Sequence, residues 1–486
     1  MLDLVISGAR VVTPGGVEVL DVGVADGKVA VLAATDPDGT GLEAERRMDA
    51  SGMILLPGGI DPHCHIGIPL PRRETGLDHY TSEAPEDATR AAAFGGVTTV
   101  VDFVMPTSRP FTLDGRSVDG ATASLLELAQ WRRAAFDHHA HVDYTLHCIV
   151  SGARAEAAVG QLGELISDGV ASIKVFTVNE PVRVRTGDLW ALFQEAARHG
   201  GIMAVHAEDH DLVDHMRRRL AAEGRDEAVN LPLVHSKLSE DLAFRHVLRL
   251  AERAEAAVYL LHVSAAEGVG AVAEARSRGL PVYGETLHNY MEFNCGHYSR
   301  PGGTATHTYP SLKYEEDRLA LVEAVLDGSL STTATDHIAT SREVKLHGGT
   351  VTTVCGGHNG VETRLPVTFT RLVQERGMSL EHFAQVSATN AAKILGLYPR
   401  KGVIQPGSDA DLVVWDPDQT VTITADGLHG AADYSIWDGF ECRGYPVTTM
   451  LRGKVIVDRG LLFGSPADGR WVPQRVGGDV LTHTAL

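Results

Sequence analysis

At 486 residues, with 44% hydrophobic and 22% charged side chains, the chain has material for one large globular domain and a smaller one. Its formal net charge of −20 argues against a nucleic-acid or anionic-membrane partner, because phosphate surfaces are bound by clustered Lys and Arg. No run reaches the roughly eighteen apolar residues of a membrane span, and the opening Met1-Leu2-Asp3-Leu4-Val5-Ile6 lacks the basic region and cleavage site of an export signal, so a cytoplasmic protein is expected.

From Leu2 to Met53 short β-rich runs (Leu4 to Ile6, Ala9 to Val12, Val17 to Val24, Lys28 to Leu32) alternate with turns at Pro14-Gly15-Gly16 and Asp26-Gly27. This predicts a small antiparallel unit over 1–53. The same texture returns after Gly402 (Asp411 to Trp415, Val447 to Leu451, Lys454 to Val457), so 401–486 is expected to complete that unit as a small β-sandwich built from both chain ends. Between them, over 54–400, apolar β-branched runs recur at Ile54 to Ile60, Val97 to Val104, Val142 to Val150, Val170 to Thr177, Ile202 to His206, Val258 to Val263, Pro281 to Thr286 and Ser331 to Asp336. Helical stretches separate them, among them Ala121 to Phe136, Asp188 to Arg198, Leu238 to Ala254 and Glu315 to Leu326. Eight strands alternating with helices is the beat of an α/β fold of the (β/α)8 TIM-like type, with a doubly wound open sheet as the alternative.

Polar residues sit at the ends of these strands. His63 and His65 follow the first, spaced i, i+2 so that both imidazoles share one side of an extended backbone. Lys174 ends the fourth strand, His206 the fifth, His262 the sixth and Asp336 the eighth. In such barrels the active site lies at the C-terminal strand ends, so all six side chains are expected at one mouth. Four histidines and an aspartate without thiolates suit Zn, Mn, Fe, Co or Ni, and do not make a structural zinc cluster. Lys174 inside an apolar strand loses its charge readily, and a neutral amine can add CO2 to become a carbamate able to bridge two cations.

The set Asp61-Pro62-His63-Cys64-His65, Lys174, His206, His262 and Asp336 resembles the amidohydrolase superfamily, in the binuclear group that carries a carboxylated lysine. Two longer stretches, Thr89 to Thr99 and Ser387 to Gly402, with Gly407 to Val413, are similar to the dihydropyrimidinase/hydantoinase family. The resemblance implies two divalent metal ions, zinc first among the candidates: His63, His65 and Asp336 on one, His206 and His262 on the other, with carboxylated Lys174 and a hydroxide bridging both. It implies hydrolysis of a cyclic amide or imide C–N bond, with Asp336 as catalytic base and then acid, and a homotetrameric assembly. Linear-amide deacylation and a non-catalytic scaffold are the competing readings.

The expected substrate side departs from the family. Asn179 stands where the family has a ring-binding tyrosine, Tyr309 falls at its substrate-holding serine, and the stretch containing Gly357, His358 and Asn359 replaces the segment that holds the other side of the ring. Ile66-Gly67-Ile68-Pro69 lacks the family's aspartate, and Gly67 replaces the arginine of dihydroorotases, which disfavours dihydroorotate. His138-His139-x-His141 is expected in a solvated loop, Arg217-Arg218-Arg219 on an exposed helix face, and Cys64 as a packed thiol. Cys64, Cys148, Cys295, Cys355 and Cys442 form no C-x-x-C and are expected reduced. His288, Tyr290, Phe293 and His297, after the seventh strand, either line the cavity or pack locally.

Overall fold

In a computed structural model describing residues 1–35 and 41–483, eight parallel strands follow one another around a barrel. They are Gly59–Asp61, Val97–Val104, Asp143–Ile149, Ser172–Phe176, Ile202–His206, Val258–Leu260, Val282–Leu287 and Thr332–Ala334. Every residue of Val97–Val104 and of Asp143–Ile149 is buried, so neither strand has a solvent face to impose an alternation of apolar and polar residues. The open-sheet alternative is excluded by how the eighth strand meets the first. His65 N donates to His337 O (2.8 Å) and His337 N to His63 O (3.3 Å), so the barrel closes through the segments that carry the candidate ligands.

The helices lie close to their expected bounds. Glu315–Leu326 is as expected; Leu125–Phe136 begins four residues later than Ala121, because Ser124 and Glu127 form a capping box that fixes its first turn. Among the described residues no helix is long and apolar enough to cross a membrane.

The first expected strand divides. Ile54–Pro57 joins the end sheet, Gly59–Asp61 the barrel, and Gly58 is the hinge, its N–H donating to Asp411 O (2.8 Å). A side chain at Gly58 would place Cβ 2.1 Å from Thr98 Oγ1, so only glycine fits this crossing. Both chain ends build one nine-stranded sheet in which Ile54–Pro57 is the seam, parallel to Leu2–Thr13 and antiparallel to Leu412–Thr422. The N-terminal part is therefore not purely antiparallel. It also gains a strand, Ala44–Asp49, whose Glu45, Arg46 and Arg47 hide it from a hydrophobic pattern. This sheet has its own core, including Leu4, Ile6, Val11, Ile404, Leu412 and Met450.

A buried ionic knot locks sheet to barrel. Lys401 Nζ lies 2.5 Å from Asp143, 2.9 Å from Asp409 and 2.6 Å from Asp411, and Arg452 also bonds Asp143 (2.5 Å). These three aspartates resemble a cation site by spacing, but the Lys401 ammonium already occupies their centre. The C-terminal tail closes the opposite, N-terminal mouth of the barrel, where Gln474 Oε1 accepts the N–H groups of Ala171 (2.7 Å) and Ser172 (2.9 Å).

Candidate active site

At the C-terminal mouth, His63 Nε2 and His65 Nε2 lie 3.3 Å apart, and each is 3.2 Å from Asp336 Oδ1. His63 Nδ1 is 2.8 Å from Glu285 Oε1, and a carboxylate only accepts, so in the neutral imidazole that a metal requires the His63 proton sits on Nδ1 and Nε2 presents a lone pair. Three electron-pair donors thus face one another at a common point, an arrangement that a cation satisfies and a neutral core does not. Opposite them the rings of His206 and His262 are 4.5 Å apart, and His262 is 5.4 Å from His63. His206 gives Nε2 to Glu208 Oε2 (2.9 Å), leaving Nδ1 for a ligand, and His262 Nε2 is buried without a partner. The donor set fits a pair of divalent cations.

Lys174 Nζ reaches the same space, 4.4 Å from the Phe176 ring and 5.6 Å from that of Phe103. Burial pulls its pKa down to about 7, against the pull of Asp336 and Glu285 in the other direction, so the neutral amine is accessible near neutral pH. Burial opposes a charge on His63, but the carboxylates of Glu285 and Asp336 overcome it and push its pKa up to about 9. Burial likewise opposes ionisation of Asp336; His63 and His65 outweigh it and hold the carboxyl well below its usual range. His262 is held neutral by burial and by the charge of His206, Lys174 and His63. His262 (φ 39°) and Asp336 (φ 50°) occupy the left-handed region, local strain of the kind that persists where function fixes a side chain.

Several supporting residues come from elsewhere in the chain. Glu285 accepts from His63, from His262 N (3.2 Å) and from Tyr259 OH (2.7 Å), so one carboxylate orients both groups of candidate ligands. Glu208 bridges His206 and His235 (2.7 Å), and Thr308 donates to Asp336 Oδ2 (2.5 Å). His337 Nδ1 accepts from Gly360 N (3.0 Å) and Val361 N (3.3 Å), which puts its proton on Nε2, toward Glu83. Glu285 and Glu208 carry a legible signal, an acid inside or two residues past an apolar strand; Thr308 carries none.

The family profile described as "Amidohydrolase family" matches residues 54–456. The chain belongs to the amidohydrolase family. Within it, its relatives include hydantoinases, a dihydropyrimidinase and an allantoinase. The chain is 32% identical over 479 residues to the D-hydantoinase of Rhizobium radiobacter, covering 98% of this chain and 99% of that one. It is 34% identical over 482 residues to the allantoinase of Rubrobacter xylanophilus, with 98% and 99% covered. A solved D-hydantoinase structure superposes with a TM-score of 0.89 at 31% identity, covering 98% and 99% of the two chains.

In this amidohydrolase the residues expected at the substrate side lie on loops. Asn179 (φ 66°) follows the Lys174 strand and accepts from Arg217 Nη1 (2.8 Å) through its Oδ1. Arg217 is therefore not on an exposed face; it is half-buried, while Arg218 and Arg219 are exposed. The reason is periodicity, since Arg217 shares a helix face with buried Val213 and Leu220. Tyr309 adjoins Thr308, packs against His307 (4.5 Å) and His235 (5.1 Å), and donates to Val354 O (3.1 Å). The carbonyl of Gly357 is taken by the buried Lys345 ammonium, and Asn359 Nδ2 donates to Tyr434 O (2.8 Å). His358 is buried with neither ring nitrogen partnered.

The remaining features resolve simply. His141 is buried at 2% exposure, with its backbone N–H on Thr89 Oγ1 (3.0 Å), so only His138 and His139 lie in the exposed loop; burial of the apolar neighbours Ala140 and Val142 carries His141 inward. Tyr290 bonds Pro310 O and Phe293 packs on His297 (5.0 Å) and Trp437 (5.0 Å), which is local packing; His288 stacks on Trp437 (4.8 Å). All five cysteines are free, and Cys64 is fully buried.

Proposed function

We propose that this chain opens a cyclic amide or imide ring by hydrolysis, leaving an N-carbamoyl or related amino acid. The observation that supports this reading best is the meeting of His63, His65 and Asp336 with His206, His262 and a buried lysine at one end of a barrel. Two divalent cations, zinc first, held by His63, His65 and Asp336 and by His206 and His262, with Lys174 as a carbamate between them, would acidify a water and polarise the ring carbonyl.

The protein's own groups supply the rest. The neutral Lys174 amine adds CO2, forming an N–C bond and releasing a proton. Asp336, kept anionic by its two histidines and oriented by Thr308, takes the proton of the attacking water. The water oxygen becomes bonded to the carbonyl carbon, the ring C–N bond breaks, and Asp336 returns the proton to the departing nitrogen. Phe103, stacked on His65 (4.3 Å), keeps bulk water from that wall. Asn179, Tyr309, Gly357, His358 and Asn359 make the substrate side of the same reading. A homotetramer, and a cytoplasmic setting suited to five free thiols, complete it.

The test is a screen of metal-loaded protein against five- and six-membered cyclic ureides, imides and lactams, alongside native intact mass and metal analysis. Ring opening, one added CO2 on Lys174 and about two ions per chain are expected. Cleavage of linear N-acyl amides with every ring left intact would replace this reading with deacylation, and a metal-free, unmodified protein after loading would support the scaffold reading.

A further inference from the structure

Beside Asn179, on the substrate side proposed above, stands a cation that ring opening does not use. Arg218 and Arg219 pair with acids of their own helix, Asp214 (2.9 Å) and Glu223 (2.8 Å). Arg217 has no such partner: Nη1 reaches only the neutral Asn179 amide, Nε is buried and unpartnered, and among the described residues no carboxylate lies within ion-pair distance. A half-buried guanidinium whose Nε is shut off from water and has no counter-ion is costly, and the chain, with 63 acidic residues against 43 basic ones, has no shortage of carboxylates to place there.

Two links fix where this arginine stands. Asn179 is five residues beyond Lys174, on the loop that leaves its strand. Tyr309, whose hydroxyl lies in the field of Glu74, Arg217 and Arg73, follows directly on Thr308, the residue bonded to Asp336. Glu74, the acid of this wall, is already paired with Arg73 (3.3 Å), and burial raises its pKa, which weakens it as a counter-ion. Gly67, where a dihydroorotase carries its arginine, lies elsewhere, beside Glu83 and Pro85.

We propose that Arg217, oriented by Asn179, is a specificity-determining residue that binds a carboxylate carried on the ring, so that the preferred substrates are cyclic amides with an acidic side chain. The inference rests on the ring-opening reading. With one N–H of Nη1 on Asn179, the guanidinium keeps Nη2 and a second N–H of Nη1 for an incoming carboxylate, a forked pair of donors that lysine cannot reproduce.

The experiment compares 5-(2-carboxyethyl)hydantoin with its neutral isostere 5-(2-carbamoylethyl)hydantoin. The native enzyme should favour the acid at least tenfold in kcat/KM, and the preference should shrink as salt is raised. Arg217→Gln should lower kcat/KM for the acid about 10- to 100-fold, mainly through KM, and leave the amide within about threefold; Arg217→Lys should recover part of the loss. Equal turnover of the two rings by the native enzyme, or an equal loss of both in Arg217→Gln, overturns the proposal. If neither ring opens, the ring-opening reading fails and calorimetric binding of the same compounds decides this one. Tighter binding of the acid that Arg217→Gln abolishes upholds the anion site, and equal binding overturns it.

Discussion

Glu285 is the group on which both proposed metals depend, and Glu285→Gln isolates that dependence. Its Oε1 accepts from His63 Nδ1 (2.8 Å) and from the backbone of His262 (3.2 Å), one candidate ligand of each ion. Its Oε2 accepts from Tyr259 OH (2.7 Å), and that hydroxyl also lies 2.7 Å from Thr332 Oγ1. A glutamine fits the same space: its carbonyl takes the two N–H donors, and its amide faces Tyr259, which then donates to Thr332. Hydrogen bonds are kept and only the charge is lost. Removing the anion behind a ligating imidazole costs about 10- to 100-fold in metal affinity, or about 1.4 to 2.8 kcal/mol. Calorimetric titration of demetallated protein with zinc should show both binding steps weakened in Glu285→Gln, with the circular dichroism spectrum unchanged. Affinities within about threefold of the native protein at both steps would refute the argument that this carboxylate tunes the site.

Asp336→Asn should lower turnover by about 10²- to 10⁴-fold with the fold retained, because the amide cannot carry the proton from water to the leaving nitrogen; residual activity within about tenfold would remove that role. Glu240, buried against Ser264, has its pKa raised to about 7 chiefly by burial, opposed by Lys313 and Ser264. The folded protein then keeps a proton that the unfolded chain releases above about pH 4.5, so stability falls as pH rises from about 4.5 to about 7, by up to about 3 kcal/mol. Urea midpoints of Glu240→Gln should lack that fall, and parallel pH profiles for the two proteins would refute it. A Cβ at Gly356 would lie 2.5 Å from Tyr309 Cδ2, so Gly356→Ala should destabilise by about 1 to 3 kcal/mol. In Tyr309→Ala that penalty should largely vanish, and strict additivity of the two changes would show that they do not share the space.

The metal half of the site is legible because strands make it so. A lysine, a histidine or an aspartate ending a run of Val, Ile and Ala is expensive to bury without a task, and the barrel topology brings those strand ends together. Glu285 obeys the same rule inside Val282–Leu287, and is hidden only because the resemblance gives it no ligand role. The division of Ile54 to Ile60 between two sheets is not legible from hydrophobicity, since a strand buried on both faces has no period; the punctuation was Pro57-Gly58-Gly59. Three arginines in a row read as a solvated patch, yet successive helical positions are about 100° apart and cannot all face water. Position 217 is four residues from Val213 and three from Leu220, the stripe this helix buries.

The substrate half resists such reading because its parts are joined by contacts distant in sequence. Lys345, fully buried, holds the carbonyls of His307 (2.7 Å), Cys355 (2.7 Å) and Gly357 with one ammonium. It thereby ties the segment entering Thr308 and Tyr309 to the segment carrying Gly356 to Asn359. A large ring at 309 and a bare backbone at 356 then become one exchange of volume, visible as a pair only once the two loops are brought together. The proposed metal ligands on strands can therefore persist while this linked wall changes, with Arg217, on its helix and held by the Asn179 loop, supplying charge where Tyr309 supplies shape. On the proposed reading, the chemistry and the choice of ring are carried by different elements of one barrel mouth, so substitutions at Arg217 or Tyr309 should alter which ring is opened without altering how it is opened.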